Sequence, residues 1–553
     1  MKARKRGVRF VVAVLIVAGL GAAAFHRYWY YIPGIVAQIR DPVGPSREVV
    51  WAQGPERAEA PPGKRPPNIV LILADDLGYN DLTFGGGGVA GGAVPTPNID
   101  AIAKQGVTFT NGYAGDATCA PSRAAIMTGR YATRFGFEFT PAPAAFEKLL
   151  GYSKLGTREP IYHADRERDV PPVEKMALPA DETTIAELLK GRGYHTIFFG
   201  KWHLGETPPA RPEARGFDET LGFLPGASLY LPKNDPRVVN SFQDFDPIDK
   251  FLWANLPFAV TNNGSRRFAP GGYMTDYLAD EAVKAIAANR NRPFFLYLAF
   301  NAPHTPLQAL RSDYDALTGI DDPRLRVYAA MIRALDRAVG KVVDALERNG
   351  LNDDTLVIFT SDNGGANYIG LPDINRPFRG WKATFFEGGI HVPFFLEWPA
   401  AVPAGIHFAL AVGHVDIFAT AAAAAGAPLP GDRVLDGVDL IPFVTGRASG
   451  KPHESLYWRS GPYRTLLAGD WKLQVSETPK KNWLFDLGED PTEKHNLAES
   501  DAARTSEMLA RLSRLDAQQS KPLWPSLLEA PVAIDHPLGA PDHPDDEYIY
   551  WSN

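Results

Sequence analysis

Four stretches of the chain are unbroken in apolar residues for the length of a strand. They are Asn68-Ile69-Val70-Leu71-Ile72-Leu73, Thr196-Ile197-Phe198-Phe199, Phe294-Phe295-Leu296-Tyr297-Leu298 and Thr355-Leu356-Val357-Ile358-Phe359. A strand solvated on one face alternates, so runs without alternation predict strands of a parallel sheet buried on both faces. Between them the period becomes helical, over 184–192, 275–290 and 324–349. In the last of these Tyr328, Met331, Ile332, Leu335, Val339, Val342 and Leu346 fall on one face. The alternation predicts an α/β fold, a large central mostly parallel sheet flanked by helices, with sites in the crevice beyond the strands' carboxyl ends. From Leu456 the pattern shortens to strand-and-turn: Leu456-Tyr457-Trp458, then 463–467, 471–475 and 483–487, and a helix at about 501–518. That predicts a smaller C-terminal antiparallel sheet subdomain.

Ahead of the first strand, Lys2, Arg4, Lys5, Arg6 and Arg9 lead into an apolar run over 10–25. A basic start and an apolar core have the form of an export signal. Ala22-Ala23-Ala24 offers a cleavage site, whereas Tyr28-Trp29-Tyr30-Tyr31 suits an interfacial belt beside an uncleaved membrane anchor. Both readings stay open, with the balance towards the anchor, and both place the body at the periplasmic or extracellular face. The expected organisation is a signal peptide or membrane anchor over 1–27, a Pro-rich linker over 28–67 with Pro61, Pro62, Pro66 and Pro67, the α/β domain over 68–450, the C-terminal subdomain over 451–520, and a Pro- and Asp-rich tail over 521–553.

Composition narrows the function. A chain of 553 residues suggests two domains, and 45% hydrophobic with 22% charged residues is normal for a folded protein. The net charge of −7 gives no sign of nucleic-acid binding, so an anion site must be a local cluster of cations. The glycines of 85–92 read as a flexible loop.

The chemistry-bearing motifs follow the predicted strands. Asp75-Asp76 ends the first, and Asp362-Asn363 with Gly364-Gly365 ends the strand at 355–359. Three carboxylates and an amide oxygen make an all-oxygen set suited to a hard divalent cation and poor for zinc; taken alone, Asp75-Asp76 is equally a solvated loop pair. Gly200-Lys201-Trp202-His203-Leu204-Gly205 follows 196–199, and Lys201 and His203 share a side if the chain stays extended there. A surface lysine and a loop-capping histidine would read the same way. Pro303-His304-Thr305-Pro306 fixes a histidine between two prolines, which suits a positioned proton donor or simply a rigid turn. Lys382, in Gly380-Trp381-Lys382, precedes Glu387-Gly388-Gly389-Ile390-His391. Cys119 is the chain's single cysteine, so it is a buried small hydrophobe or a reactive group. It lies in Cys119-Ala120-Pro121-Ser122-Arg123, between a β-rich stretch at 107–113 and a helix expected at 122–129, near a helix N-terminus that favours anions.

Cys-x-Pro-Ser-Arg, followed by Thr128-Gly129-Arg130 and then by the other segments in order, resembles the signature of the sulfatase family, from about 67 to 497. The resemblance implies an alkaline-phosphatase-like fold and conversion of Cys119 to 3-oxoalanine (formylglycine) by a separate maturation enzyme. It implies a calcium ion at Asp75, Asp76, Asp362 and Asn363 beside residue 119, with Mg²⁺ left open by ligand type. It implies further that the hydrated aldehyde attacks sulfur while Arg123, Lys201 and Lys382 neutralise negative charge. His304 then delivers a proton to the departing alcohol or phenol, and His203 takes the proton of the second hydroxyl as sulfate leaves. Arg130 would support the nucleophile's helix. His391 departs from the family pattern, where arginine is usual, and is expected to affect packing or ion pairing.

The function implied is hydrolysis of sulfate monoesters, aryl or carbohydrate. The alternatives are a phosphonate monoester hydrolase or phosphodiesterase of the same superfamily, a metal-dependent phosphatase with unmodified Cys119, and a non-catalytic membrane-tethered sulfoglycan-binding protein. The segments expected at the pocket rim hold Phe135, Phe137, Phe139, Tyr230 and Trp253. These could stack on a sugar or an aryl ring, or pack the loops together.

Overall fold

The computed structural model describes residues 2–58, 64–156 and 158–553; Met1 and the linker's Pro61 and Pro62 lie outside the described residues. Among these residues the core is a nine-stranded sheet. Its order is Ile406–Phe408, Val107–Phe109, Phe394–Glu397, Thr355–Ser361, Asn68–Asp75, Phe294–Pro303, His195–Lys201, Glu219–Phe223 and Thr261–Asn262. The four middle strands with apolar runs pair in parallel with one another. Antiparallel pairing enters at Phe394–Glu397 and at the edge strand Thr261–Asn262.

Successive residues of one strand point to opposite faces, and the core divides accordingly. Val70, Ile72 and Ala74 pack with Ala330, Met331 and Leu335 of the helix Pro323–Arg348. Ile69, Leu71 and Leu73 pack with Ile185 and Leu189 of the helix Ile185–Gly191 and with Phe418 of Asp416–Ala424. Both faces are dry, which is why these strands carry no polar alternation. Gly200 shows how close the strands run: a Cβ there would meet the Ala299 carbonyl oxygen at 1.8 Å.

The C-terminal expectation also holds in outline. Leu456–Ser460, Tyr463–Ala468, Trp471–Glu477 and Lys480–Asp486 form an antiparallel meander, covered by the helix Ala502–Asp516 through Met508 and Leu512. Lys472 ties this sheet to the body. Its ammonium is buried, 2.6 Å from Glu387 and 3.0 Å from Glu493. Burial alone would raise the Glu387 carboxyl, but Lys472 and His391 hold it down at about 2. His391 donates from Nδ1 to the same carboxylate at 2.7 Å, so the departing histidine serves local pairing and packing as expected. Removing one partner of a buried charge cluster leaves the others uncompensated. Lys472→Met is therefore expected to cost about 3–5 kcal/mol, read as a lowered urea midpoint, while the folded fraction keeps its activity.

Two segments differ from the sequence expectation, and a third, the tail, takes a form the sequence left open. Residues 28–67 are not a free linker: Ile32–Arg40 is helical, Gly44 bridges to Phe268, and Val49 and Trp51 are buried, the indole donating to Glu281 at 2.9 Å. Apolar anchors among the prolines strap this segment down. The tail forms strands Leu528–Ala533 and Tyr548–Ser552, which pair with each other and with Ile161–Tyr162. The glycine stretch includes a short kinked helix, Val89–Gly92, in place of a loop throughout. At the N-terminus Lys2–Tyr28 is one helix that exposes Phe10, Leu15, Val17 and Leu20. No helix of the described residues is long and apolar enough to cross a membrane, so the spanning-anchor reading of 1–27 finds no support there.

Candidate active site

Strand register assembles the site. Asn68–Asp75 lies between Thr355–Ser361, with Ala74 opposite Ser361, and Phe294–Pro303, with Asp75 opposite Pro303. The residues that follow the strands, Asp76, Asp362 and His304, therefore emerge together at one carboxyl edge. His195–Lys201, on the far side of Phe294–Pro303, brings Lys201 to the same edge. From the opposite direction the helix Cys119–Thr128 points its N-terminus at them. It begins three residues earlier than the sequence suggested, because Thr118 is the N-cap and Cys119 the first helical residue. Thr118 is itself held by Asp116, which accepts from its N–H at 3.1 Å and its hydroxyl at 3.2 Å.

All ten residues singled out in the sequence meet here. Lys382 Nζ lies 2.6 and 2.9 Å from the Asp76 oxygens and 3.1 Å from Cys119 Sγ. Lys201 Nζ donates to both Asp75 oxygens at 2.9 and 2.8 Å. Arg123 donates from Nε to Asp362 at 2.9 Å and from Nη1 to the Lys201 carbonyl at 2.8 Å, with Nη2 2.7 Å from Asp362. His304 Nδ1 bonds the Thr305 carbonyl at 2.5 Å, leaving Nε2 3.6 Å from Asp76. Cys119 Sγ is 4.0 Å from Asp76.

Two expectations need correcting. Lys201 and His203 do not share an extended segment, since His203 has φ +60. Of the three cations expected to face a bound anion, only Lys382 lines the cavity. Arg123 and Lys201 are fully buried against carboxylates, because three acidic groups in a dry place need counter-charge beneath them. Arg130 leaves the end of the nucleophile's helix and pairs with Glu182 at 2.5 and 2.7 Å, consistent with support of that helix.

Electrostatics follow from burial and these contacts. Burial, opposed by Lys201, pushes the Asp75 carboxyl up to about 8. For Asp76 burial is outweighed by Lys382 and His304, and its carboxyl stays well below the usual range. Burial would raise the Cys119 thiol, yet Lys201 and Lys382 bring it down to about 7. Burial and the nearby Lys201 keep His203 neutral, its pKa far below the usual value. For His304 burial is overcome by Asp75 and Asp76, so its pKa is raised. The two histidines are thus shifted in opposite directions, the arrangement that separates an acid from a base.

The backbone is strained at this place. Asp76 (φ +62), His203 (φ +60) and Ala383 (φ +65) are in the left-handed region without being glycine. Each costs on the order of 1–3 kcal/mol, and such residues cluster at functional sites. Gly364 explains the paired glycines of two motifs, since a Cβ there would come within 2.0 Å of the Gly388 carbonyl oxygen.

The donor set fits a hard cation. Asn363 donates from Nδ2 to Asp76 at 2.8 Å, while its Oδ1 is buried and accepts no hydrogen bond among the described residues. An orphan amide oxygen beside three carboxylates is a ligand waiting for a cation. Asp75, Asp76, Cys119 and His304 also fall within metal-binding reach of one another.

Sequence reading missed Tyr368 and His414. The Tyr368 hydroxyl donates to Asp76 at 3.0 Å from the short 3-10 helix Asn367–Ile369, which has no sequence pattern, so no signal pointed to it. His414 braces the nucleophile's helix through Ser122 Oγ at 3.1 Å and the sheet through Thr360 Oγ1 at 3.0 Å. The rim aromatics Phe135, Phe137, Phe139, Tyr230 and Trp253 are all buried, and none lines the cavity.

Comparison with known proteins agrees with this geometry. The family model described as Sulfatase matches residues 67–427. The chain is 31% identical to the steryl-sulfatase of Mus musculus over 84% of its own length and 83% of that protein. It is 33% identical to the N-acetylgalactosamine-6-sulfatase of Mus musculus, over 77% and 75%. The crystal structure of Ps i-CgsB in complex with k-i-k-neocarrahexaose superposes with a TM-score of 0.68 at 35% identity, covering 83% of this chain and 95% of that one.

Proposed function

The chain belongs to the sulfatase family, and from that membership we propose a formylglycine-dependent hydrolysis of sulfate monoesters centred on Cys119. The observation that supports it best is the convergence of Cys119, His203, His304 and Lys382 on one cavity above the acidic set. A maturation enzyme would convert Cys119 to the aldehyde, and in that form residue 119 supplies, as its hydrate, an oxygen nucleophile for sulfur. Asp75, Asp76, Asp362 and Asn363 would hold a divalent cation, Ca²⁺ or Mg²⁺, which supplies positive charge against anionic oxygens.

The remaining steps belong to the chain's own side chains. Lys382, the cation that lines the cavity beside residue 119, binds the sulfate group. Arg123 and Lys201 hold Asp362 and Asp75 in place from below. His304 gives a proton from Nε2 to the departing oxygen, and His203 then takes the proton of the second hydroxyl, so that sulfate leaves and the aldehyde is restored. The α/β body over 68–450 carries this chemistry and the subdomain over 451–520 buttresses it. The basic and apolar N-terminal segment supports export.

Mass spectrometry of the tryptic peptide carrying Cys119, on protein matured in its own host, tests the reading. The expected peptide is lighter by the change from thiol to aldehyde; an unmodified thiol in protein that releases sulfate from nitrophenyl sulfate would refute it. The cation set has its own test. Asn363→Ala is expected to raise the Ca²⁺ or Mg²⁺ concentration needed for activity by about tenfold or more, measured by titration after chelation.

A further inference from the structure

The cavity above Cys119 holds about 470 Å³ and is one continuous space, within the range of sites that enclose a drug-sized ligand. Its inner end is charged, with Lys382 and the two histidines. Its far wall is mostly apolar, with Glu147, Glu206, Asp246 and Arg267 set into it. Phe146 and Leu150 come from the helix Ala144–Gly151, Leu252 and Leu256 from the helix Pro247–Asn255 and its end, and Val532 and Leu538 from the tail.

The outer edge is made by Pro33, Gly34 and Ala37 of the helix Ile32–Arg40. That helix is fixed in place. Gly34 N–H donates to Asn255 Oδ1 at 2.6 Å, and Asn255 Nδ2 donates to the Tyr30 carbonyl at 2.9 Å. Arg267 pairs with Asp41 at 2.8 Å and donates to the Ala37 carbonyl at 3.1 Å. A Cβ on residue 34 would stand 2.8 Å from Asn255 Cα, so glycine permits this approach.

Several of the polar side chains that reach the wall already have partners. Asn255 is engaged as above. Asp246 caps its helix through the N–H groups of Ile248 and Asp249, both at 2.9 Å. Asn553 bridges Thr140 and Glu147 at 2.8 and 2.6 Å. A buried sugar would bring hydroxyls that need hydrogen bonds around its whole ring; Glu147 Oε2 and Thr140 Oγ1 are left without partners among the described residues, but the rest of the wall is largely apolar. An apolar body meets its own kind.

We propose that the leaving group taken by this site is a predominantly apolar alcohol or phenol, such as a long alkyl chain or a fused-ring alicycle, and that the helix Ile32–Arg40 is the wall that selects it. The inference rests on the sulfate-ester reading of the site and deepens it.

The test uses the full-length matured protein and three esters: decyl sulfate below its micellar concentration, nitrophenyl sulfate and a monosaccharide 6-sulfate. Decyl sulfate is expected to exceed the sugar sulfate in kcat/KM by about 100-fold, the scale of a few buried methylenes. Ala37 is exposed on its helix, so substitutions there spare the fold. Ala37→Glu is expected to raise KM for decyl sulfate by about tenfold and to leave nitrophenyl sulfate unchanged, while Ala37→Leu restores the wild-type KM. Preference for the sugar sulfate, or indifference of decyl sulfate to Ala37→Glu, would overturn the inference and leave the hydrolase intact. Failure to release sulfate from any of the three would overturn both.

Discussion

Replacing Cys119 with alanine is expected to reduce sulfate-ester turnover on the order of 10⁵- to 10⁶-fold, the scale seen when a covalent nucleophile is removed from an otherwise complete site. The side chain lies at the first position of its helix and 3.1 Å from Lys382 Nζ, so nothing else in the cavity stands where it does. Cys119→Ser is expected to fall equally far, although an oxygen nucleophile remains. On the proposed mechanism an unmodified serine cannot form the geminal diol, so its sulfate ester has no second hydroxyl from which to collapse. Steady-state release of nitrophenol, with folding checked by circular dichroism, measures both variants. The stability change should be small in each, because the buried side chain is replaced by one of similar or smaller size without a charge. Retention of more than about a hundredth of wild-type kcat by Cys119→Ser would mean that residue 119 acts as a simple hydroxyl-type nucleophile and that the aldehyde is dispensable.

The sequence carried these candidate positions well for a physical reason. Each follows a strand whose apolar run is long enough to recognise, and register then places the strand ends side by side. Asp75, Asp362, Lys201 and His304 are thus read from four strand endings, and the parallel pairing supplies their convergence. Tyr368 has no such anchor, since it sits in the three-residue 3-10 helix Asn367–Ile369 between the strand Thr355–Ser361 and Lys382. The helix Ile32–Arg40 was hidden differently: Ile32, Ile35, Val36 and Ile39 have helical spacing, but the run is short and lies in a stretch read as a Pro-rich linker, and only the docking of Gly34 against Asn255 shows its place. The tail was opaque too, because strands Leu528–Ala533 and Tyr548–Ser552 are defined by pairing with each other rather than by a pattern of their own. Local chemistry is legible where a regular element presents it. Long-range closure of a cavity by peripheral segments is not.

His304→Ala is expected to separate substrates by leaving group. His304 fixes Nδ1 on the Thr305 carbonyl at 2.5 Å, which leaves Nε2 to face the cavity, and Asp75 and Asp76 favour its protonated form over the cost of burial. A positioned acid contributes about 10²- to 10⁴-fold when the departing oxygen needs a proton. An alkyl sulfate needs one, since an alkoxide is a poor leaving group, and its kcat/KM should fall by that amount. Nitrophenolate leaves without help, so nitrophenyl sulfate should lose far less, about tenfold at most. A series of substituted phenyl sulfates makes the contrast quantitative: the plot of log kcat/KM against leaving-group pKa should steepen in the variant. A merely structural role predicts otherwise. Because Nε2 also lies 3.6 Å from Asp76, loss of the ring could instead disturb the acidic set. In that case every ester would slow by the same factor, the slope would not change, and the cation requirement would rise as in Asn363→Ala. The slope and the cation titration together therefore distinguish a proton donor from a prop.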